Sequence, residues 1–306
     1  MRAPVLSSIT GRMRLFSRSV ITLHVESDSV RLLVVKGERI TDWGVEPLEP
    51  GLVSDGVVAD PQAVGMHVRS VLASHQSRSG KLVASLTGQG SVSRILSFPQ
   101  MSPSLMTEAI TREMKRQMPV SLDEMHVSWQ VIGGENGHLR VFVLGVPRDA
   151  LRPQVEALNH SGRKLRSMDI KPLSLVRGVG RHDALIADLE PESIDIIVVR
   201  GGIPDTVRTV SLGSREGETE DKVRQLGEEL ARTVKFYTDT HREAPLPPST
   251  PVCLTGSLAG RVASSGVVET SVAYPVEPLS PPLECPPDLP VATFMVNIGL
   301  ALKETW

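Results

Sequence analysis

The chain has 306 residues, 40% of them hydrophobic, enough to bury a sizeable core and to build two domains or one bilobed unit. Its Lys and Arg (33) nearly balance its Asp and Glu (35), so at a formal charge of -2 no overall field draws it to nucleic acid or to an anionic membrane. Cys253 and Cys285 are too few for a disulfide framework and lack zinc-ligand spacing, which fits a reducing cytoplasm.

Residues 1–19 contain Arg2, Arg12, Arg14 and Arg18 but lack the apolar stretch of a secretory signal, and read as a basic, disordered leader. No apolar run approaches the ~20 residues needed to span a bilayer. Residues 20–25 and 29–35 are β-rich and flank the polar Glu26-Ser27-Asp28, a hairpin pattern, and residues 43–48 supply a third strand. A helix is expected from Pro61, where Val64, Val68, Val71 and Leu72 recur at helical spacing, followed by a strand at 81–86. Residues 20–91 and 166–183 form the first lobe in this reading.

Residues 92–165 restart as a unit of their own: a strand at 92–98, a helix entered through Ser102-Pro103, strands at 127–132 and 139–146, and a helix at 149–161. The run from Gly133 to Gly137 between the two strands is a turn signal. From 184 the opening plan repeats, with strands at 184–189, 194–199 and 206–212 and a second acidic turn, Glu190-Pro191-Glu192. Such a duplication implies two related lobes facing a cleft. Residues 184–290 make the second lobe, with an amphipathic helix at 219–240, a short strand at 252–255, and seven prolines between Pro275 and Pro290 that stiffen an irregular excursion. A last helix within 291–306 is expected to pack back on the core.

Two lobes opening with hairpins, the first carrying a small insert, resemble the actin-like ATPases of bacterial assembly and division machines. The closer resemblance is to the PilM family of type IV pilus assembly proteins. The residues that carry it are Gly44-Val45-Glu46-Pro47-Leu48-Glu49-Pro50-Gly51 with Asp55-Gly56 and Asp60, Arg94-Ile95-Leu96-Ser97-Phe98-Pro99, Met118-Pro119-Val120-Ser121-Leu122-Asp123-Glu124, and Ile298-Gly299-Leu300-Ala301-Leu302. The resemblance implies an α/β, two-lobed actin-like (ribonuclease H-like) ATPase fold with an inserted small α+β subdomain in lobe 1. Lobe 2 is reduced, because relatives insert a whole subdomain where only residues 214–218 stand here. It further implies a cytoplasmic scaffold, peripheral to the inner membrane through partners. The scaffold would hold the cytoplasmic N-terminal peptide of a PilN-like bitopic inner-membrane protein beside other pilus components. The groove would lie between lobe 1 and the insert, in the region of Phe98, Pro99, Met118 and Pro119.

Active members of this fold carry Asp-x-Gly in each hairpin turn, the acid organising Mg²⁺ and the glycine admitting phosphate to backbone N–H groups. Here His24 and Glu26 stand at those places in the first hairpin; in the second Asp188 remains, but Glu190 replaces glycine and Pro191 follows. A carboxylate ~4 Å from phosphate repels it by about 1 kcal/mol in water and ~4 kcal/mol at an effective dielectric near 20. Ser27, Ser29, Asp188, Ser193, Thr255 and Gly256 are thus expected to be the remains of a degenerate nucleotide site, and they serve equally as turn and cap residues. Ser257 replaces a second glycine. A pseudo-ATPase with no cofactor is expected, ATP and Mg²⁺ being disfavoured; the alternatives are an active ATPase of the same fold and an FtsA-like division scaffold. The eight histidines show no metal-ligand spacing, and Gly88-Gln89-Gly90 lacks the third glycine of a dinucleotide fingerprint.

Overall fold

The computed structural model describes residues 19–75, 79–117, 121–212 and 219–303. β1 (Val20–Val25) and β2 (Ser29–Lys36) form an antiparallel hairpin to which β3 (Arg39–Pro47) adds. A small hairpin, β4 (Val53–Ser54) with β5 (Val57–Val58), leads into α1 (Pro61–Ser74), whose N-cap Asp60 accepts a hydrogen bond from the Ala63 N–H. β6 (Lys81–Leu86) returns parallel to β1. The insert is β7 (Val92–Pro99), α2 (Pro103–Gln117), a 3-10 turn at Leu122–Glu124, β8 (Met125–Glu135) and β9 (His138–Pro147), its sheet ordered β7-β9-β8. After α3 (Arg148–His160), β10 (Leu165–Ile170) pairs parallel with β6 and closes a five-stranded sheet ordered β10-β6-β1-β2-β3.

α4 (Lys171–Val179) leads to the second lobe, where β11 (Ala184–Leu189), β12 (Ser193–Arg200) and β13 (Ile203–Ser211) repeat the antiparallel opening. α5 (Thr219–Thr240), β14 (Val252–Thr255), α6 (Ala259–Ser265) and α7 (Val267–Ser271) follow, in a sheet ordered β13-β12-β11-β14, and α8 (Met295–Lys303) comes last.

Side chains alternate across a strand, and the central strands of the two lobes are buried on both faces. Ile21, Leu23 and Val25 of β1 and Val30, Leu32 and Val34 of β2 pack on α1 and α3. Leu185, Ala187 and Leu189 of β11 and Ile194, Ile196 and Val198 of β12 pack under α5, α6 and α7. The opposite faces, with Leu33, Val35, Ile186, Ile197 and Val199, share one core with Leu175, Val176, Met295 and Ile298, which places α4 and α8 between the two sheets. Full burial of side chains of this size contributes roughly 1.5–3 kcal/mol each. The two helices cross closely: a Cβ on Gly299 would lie 1.7 Å from the Ser174 carbonyl oxygen, and one on Gly178 would lie 2.6 Å from that of Met295.

Several expectations change. α3, read as part of the insert, buries Ala157 and Leu158 against Val64 and Val68 of α1, so it belongs to the lobe 1 layers and the insert is strand, helix, strand, strand. The turn between β8 and β9 is only Asn136-Gly137, both at positive φ; Gly133 and Gly134 lie in β8 beyond a register shift. The strand β10 and the helices α4, α6 and α7 have no counterpart in the sequence reading. The last helix begins at Met295, after a turn in which the Pro290 carbonyl accepts from the N–H groups of Thr293 and Phe294. The leader to residue 18, residues 118–120 and the link 213–218 lie outside the described residues.

Candidate functional site

The same alternation that directs Leu33, Ile186 and Ile197 between the sheets also directs Arg31, Asp188 and Asp195 there, two residues along from each. Strand register sets them side by side: His24 pairs with Arg31 on β1 and β2, and Asp188 pairs with Asp195 on one side and Thr255 on the other. Two carboxylates directly opposite each other repel unless a cation intervenes. Lys171, the first residue of α4, is that cation.

Its Nζ lies 2.7 Å from Asp188 Oδ2, 3.1 Å from Asp195 Oδ2 and 2.9 Å from Glu26 Oε1, with all four side chains buried. One ammonium thus ties the first hairpin to the second. Beside it the Arg31 guanidinium grips Glu190 through both nitrogens, at 2.6 and 2.7 Å, again joining lobe 1 to lobe 2. Remaining lone pairs are also used: Thr255 Oγ1 donates to Asp188 Oδ1 at 2.7 Å, Ser257 Oγ to Glu190 Oε2 at 2.6 Å, and Thr209 Oγ1 to Asp195 Oδ1 at 2.5 Å. His24 Nε2 reaches Glu26 Oε1 at 2.9 Å while its Nδ1 meets Ser85 Oγ at 2.5 Å. Arg31 Nη1 also donates to the Thr293 carbonyl, and Asn297 Nδ2 to the carbonyls of Thr22 and Arg31, so the turn before α8 and α8 itself are tied into the same network.

The electrostatics follow from two fixed cations among four carboxylates. Burial alone would lower the Lys171 pKa, but Asp188, Glu26 and Asp195 together hold it well above the usual lysine value. Burial pushes Glu26 and Glu190 up; Lys171 with His24 outweighs it for the first and Arg31 for the second, and both carboxyls stay below their usual range. Asp188 is the excess acid: burial, with Glu190 and Asp195 nearby, pushes it up to about 6 against the pull of Lys171.

Between the two hairpin turns lies a cavity of about 20 Å³ lined by Glu26, Ser27, Gly56, Glu192, Ser193 and Asp195 among others. It has room for about one water, against the ~300 Å³ or more of a ligand pocket. Asp55 and Ser211 hydrogen-bond across its rim.

The sequence-predicted residues separate accordingly. Ser27 and Ser193 line the small cavity, and Ser29 Oγ donates to Asp28 within the turn. Asp188 and Thr255 are in the network. Gly256, at φ +95°, is needed by the chain's own backbone, since a Cβ there would lie 2.3 Å from the Leu189 carbonyl oxygen. Glu26 and Glu190, expected to face a phosphate as free anions, are instead neutralised by Lys171 and Arg31. Phe98 points under α2 with Met106, Ile110 and Met114, so it holds the insert together; Pro99 is exposed at the end of β7, and Met118 and Pro119 lie outside the described residues. The sequence reading does not single out Lys171, Arg31 or Asp195 as site residues; for Arg31 and Asp195 the available signal is a charge inside the apolar runs 29–35 and 193–199. Among the described residues no His, Cys, Asp and Glu cluster could hold a metal ion, and no helix is long and apolar enough to cross a membrane.

A family profile described as type IV pilus assembly protein PilM matches residues 23–207. Among solved structures, the PilM-PilN type IV pilus biogenesis complex contains a chain with TM-score 0.76 and 21% identity, the match covering 94% of this chain and 98% of that one. Ethanolamine utilization protein EutJ from Carboxydothermus hydrogenoformans matches with TM-score 0.57 and 15% identity, over 94% and 90% of the two chains. A Bacteroides thetaiotaomicron protein with an actin-like ATPase fold matches with TM-score 0.50 and 10% identity, over 94% and 96%. A search of curated proteins finds no match. The two sheets, each opening with a hairpin, and the helices between them are the actin-like fold that the resemblance implied.

Proposed function

The chain belongs to the PilM family of type IV pilus assembly proteins, and on that premise we propose that it works as a non-hydrolysing adaptor of the pilus machine. Its cleft is held closed from within, and it captures the cytoplasmic N-terminal peptide of a PilN-like inner-membrane protein. The observation that carries the first part is the Lys171 ammonium, seated among Glu26, Asp188 and Asp195 where a nucleotide-dependent relative would place a metal ion and phosphates. A side chain cannot be exchanged for product, so this cation is permanent. Nucleotide entry requires the Lys171 bridge and the Arg31–Glu190 pair to open together, each leaving charge buried without a partner.

The likeness to a PilM chain solved with PilN supports the partner, as does a family match that spans lobe 1 and the insert. A short peptide that orders on binding loses conformational entropy, which sets the expected affinity in the micromolar range. The chain is then peripheral to the inner membrane through that partner.

Two measurements test this reading. Saturation at 100 times Kd would add ~2.7 kcal/mol of stability, so a clear rise in melting temperature with millimolar Mg-ATP overturns the closed cleft, and no shift is expected. Titration of the synthetic N-terminal peptide of the cognate PilN-like protein should give saturable binding; none at about 100 µM would sink the adaptor role.

A further inference from the structure

The overall charge of -2 averages over a polarised lobe 1. One end of its sheet, that of the cleft, is acidic: the β1–β2 turn carries Glu26 and Asp28, and β10 closes with Asp169 before Ile170. Because β1, β6 and β10 are parallel while β2 runs back, the starts of β1, β6, β10 and β3 and the end of β2 all lie at the opposite end. That end is basic.

Every strand of the sheet except β1 brings a cation there: Arg163 and Lys164 just before β10 and Arg166 within it, Lys81 at the start of β6, Lys36 at the end of β2 and Arg39 at the start of β3. In sheet order they form a row across five strands, about 19 Å wide at ~4.8 Å per strand spacing. Lys36, Arg39, Lys164 and Arg166 are exposed. The acids beside the row are Glu38, Glu284 and Asp42, of which Glu284 faces Arg39 at 3.9 Å and Asp42 faces His75 at 3.0 Å, so cations stay in excess. β1 adds its share through the chain that leads into it. The Lys81 N–H donates to the Ser19 carbonyl at 2.9 Å and Arg163 Nη2 to the Gly80 carbonyl at 3.3 Å, which sets residue 19 beside the row. Residues 1–18 carry Arg2, Arg12, Arg14 and Arg18 and no Asp or Glu.

We propose that this end of lobe 1, with the segment that precedes β1, is a surface for anionic lipid headgroups, a direct membrane contact separate from capture of the partner peptide. Charges act over ~8 Å at physiological salt, and the acidic turn lies ~20 Å away along the six residues of β1, so a membrane facing the row feels the cations and not the cleft. Val5, Leu6, Ile9, Leu15 and Phe16 are interleaved with the arginines, a mixture that fits the boundary between headgroups and acyl chains. Nucleic acid is the other polyanion to consider. The row has no aromatic side chain on which a base could stack, and it lies along a sheet end rather than on a helix that could enter a groove.

Flotation of the full chain with lipid vesicles tests this. Vesicles of phosphatidylglycerol mixed with phosphatidylcholine should carry the protein up, vesicles of phosphatidylcholine alone should not, and ~0.5 M NaCl should release it. Each basic side chain near an anionic surface changes the binding constant by about fivefold, so the double variant Lys36→Glu with Lys164→Glu should weaken vesicle binding at least about twentyfold. Arg39→Glu, also at an exposed position, should give about a fivefold loss or more if the double variant fails to fold. No binding to the anionic vesicles, equal binding to the neutral ones, charge-reversed variants that bind like the wild type, or tighter binding to a short DNA duplex than to the vesicles overturns the proposal.

Discussion

Replacing Lys171 by Met keeps the volume and removes the charge. Three carboxylates lie within 2.7–3.1 Å of Nζ, all buried, and among the described residues no other cation bridges to Asp188 or Asp195. Breaking a buried ion pair from one side costs about 3–5 kcal/mol. At ~2 °C per kcal/mol for a chain of this size, the melting temperature should fall by about 6–10 °C. The pH dependence separates charge from packing. The folded pKa of Lys171 is raised, so the wild-type contribution is fully present below the ordinary lysine value and is lost only above it. In the variant Glu26 and Asp188 keep their burial without the cation that lowers them, their folded pKa values rise, and the folded state takes up protons as pH falls. Stability lost at pH 7 should therefore be partly regained by about pH 5. The wild type regains less, through Asp188 alone, and below the usual Glu range it loses the contributions of Glu26 and Glu190, whose folded pKa values are lowered. Thermal melts of both proteins from pH 5 to 8 check this. A loss under about 1 kcal/mol, or a gap that does not narrow on acidification, would refute the charge argument.

Other substitutions probe the same interlobe core. Arg31→Met should cost about 3–5 kcal/mol by stranding Glu190, and adding Glu190→Met should recover most of it, measured by a double-mutant cycle in urea. Gly299→Ala places a methyl 1.7 Å from the Ser174 carbonyl oxygen and must force α4 and α8 apart; a loss of roughly 1–3 kcal/mol or more is expected, and an unchanged melt would mean the crossing is looser than described.

Much of this architecture is local, and local pattern is enough to read it. The two opening hairpins rest on alternating apolar residues around Glu26-Ser27-Asp28 and Glu190-Pro191-Glu192, α1 on Asp60-Pro61 and its valines, and α5 on a stripe from Val223 to Tyr237; each depends only on neighbours a few residues away. The motifs around Phe98-Pro99 and the loss of glycine from both hairpin turns were equally visible, and they carried the family and the expectation of an altered site.

Pairings between distant segments were not visible. Arg31 and Glu190 are 159 residues apart, and nothing near either one specifies the other. Lys171 precedes Pro172 at the start of a helix that ends at Gly180, local signals that mark a helix but not its partners; its role exists only because α4 passes between two sheets and brings its first side chain to their acidic ends. For the same reason Glu26 and Glu190 read as bare repelling anions in the sequence and as neutralised partners in the fold: a carboxylate's effect depends on which cation shares its low-dielectric surroundings, and tertiary packing alone chooses that cation.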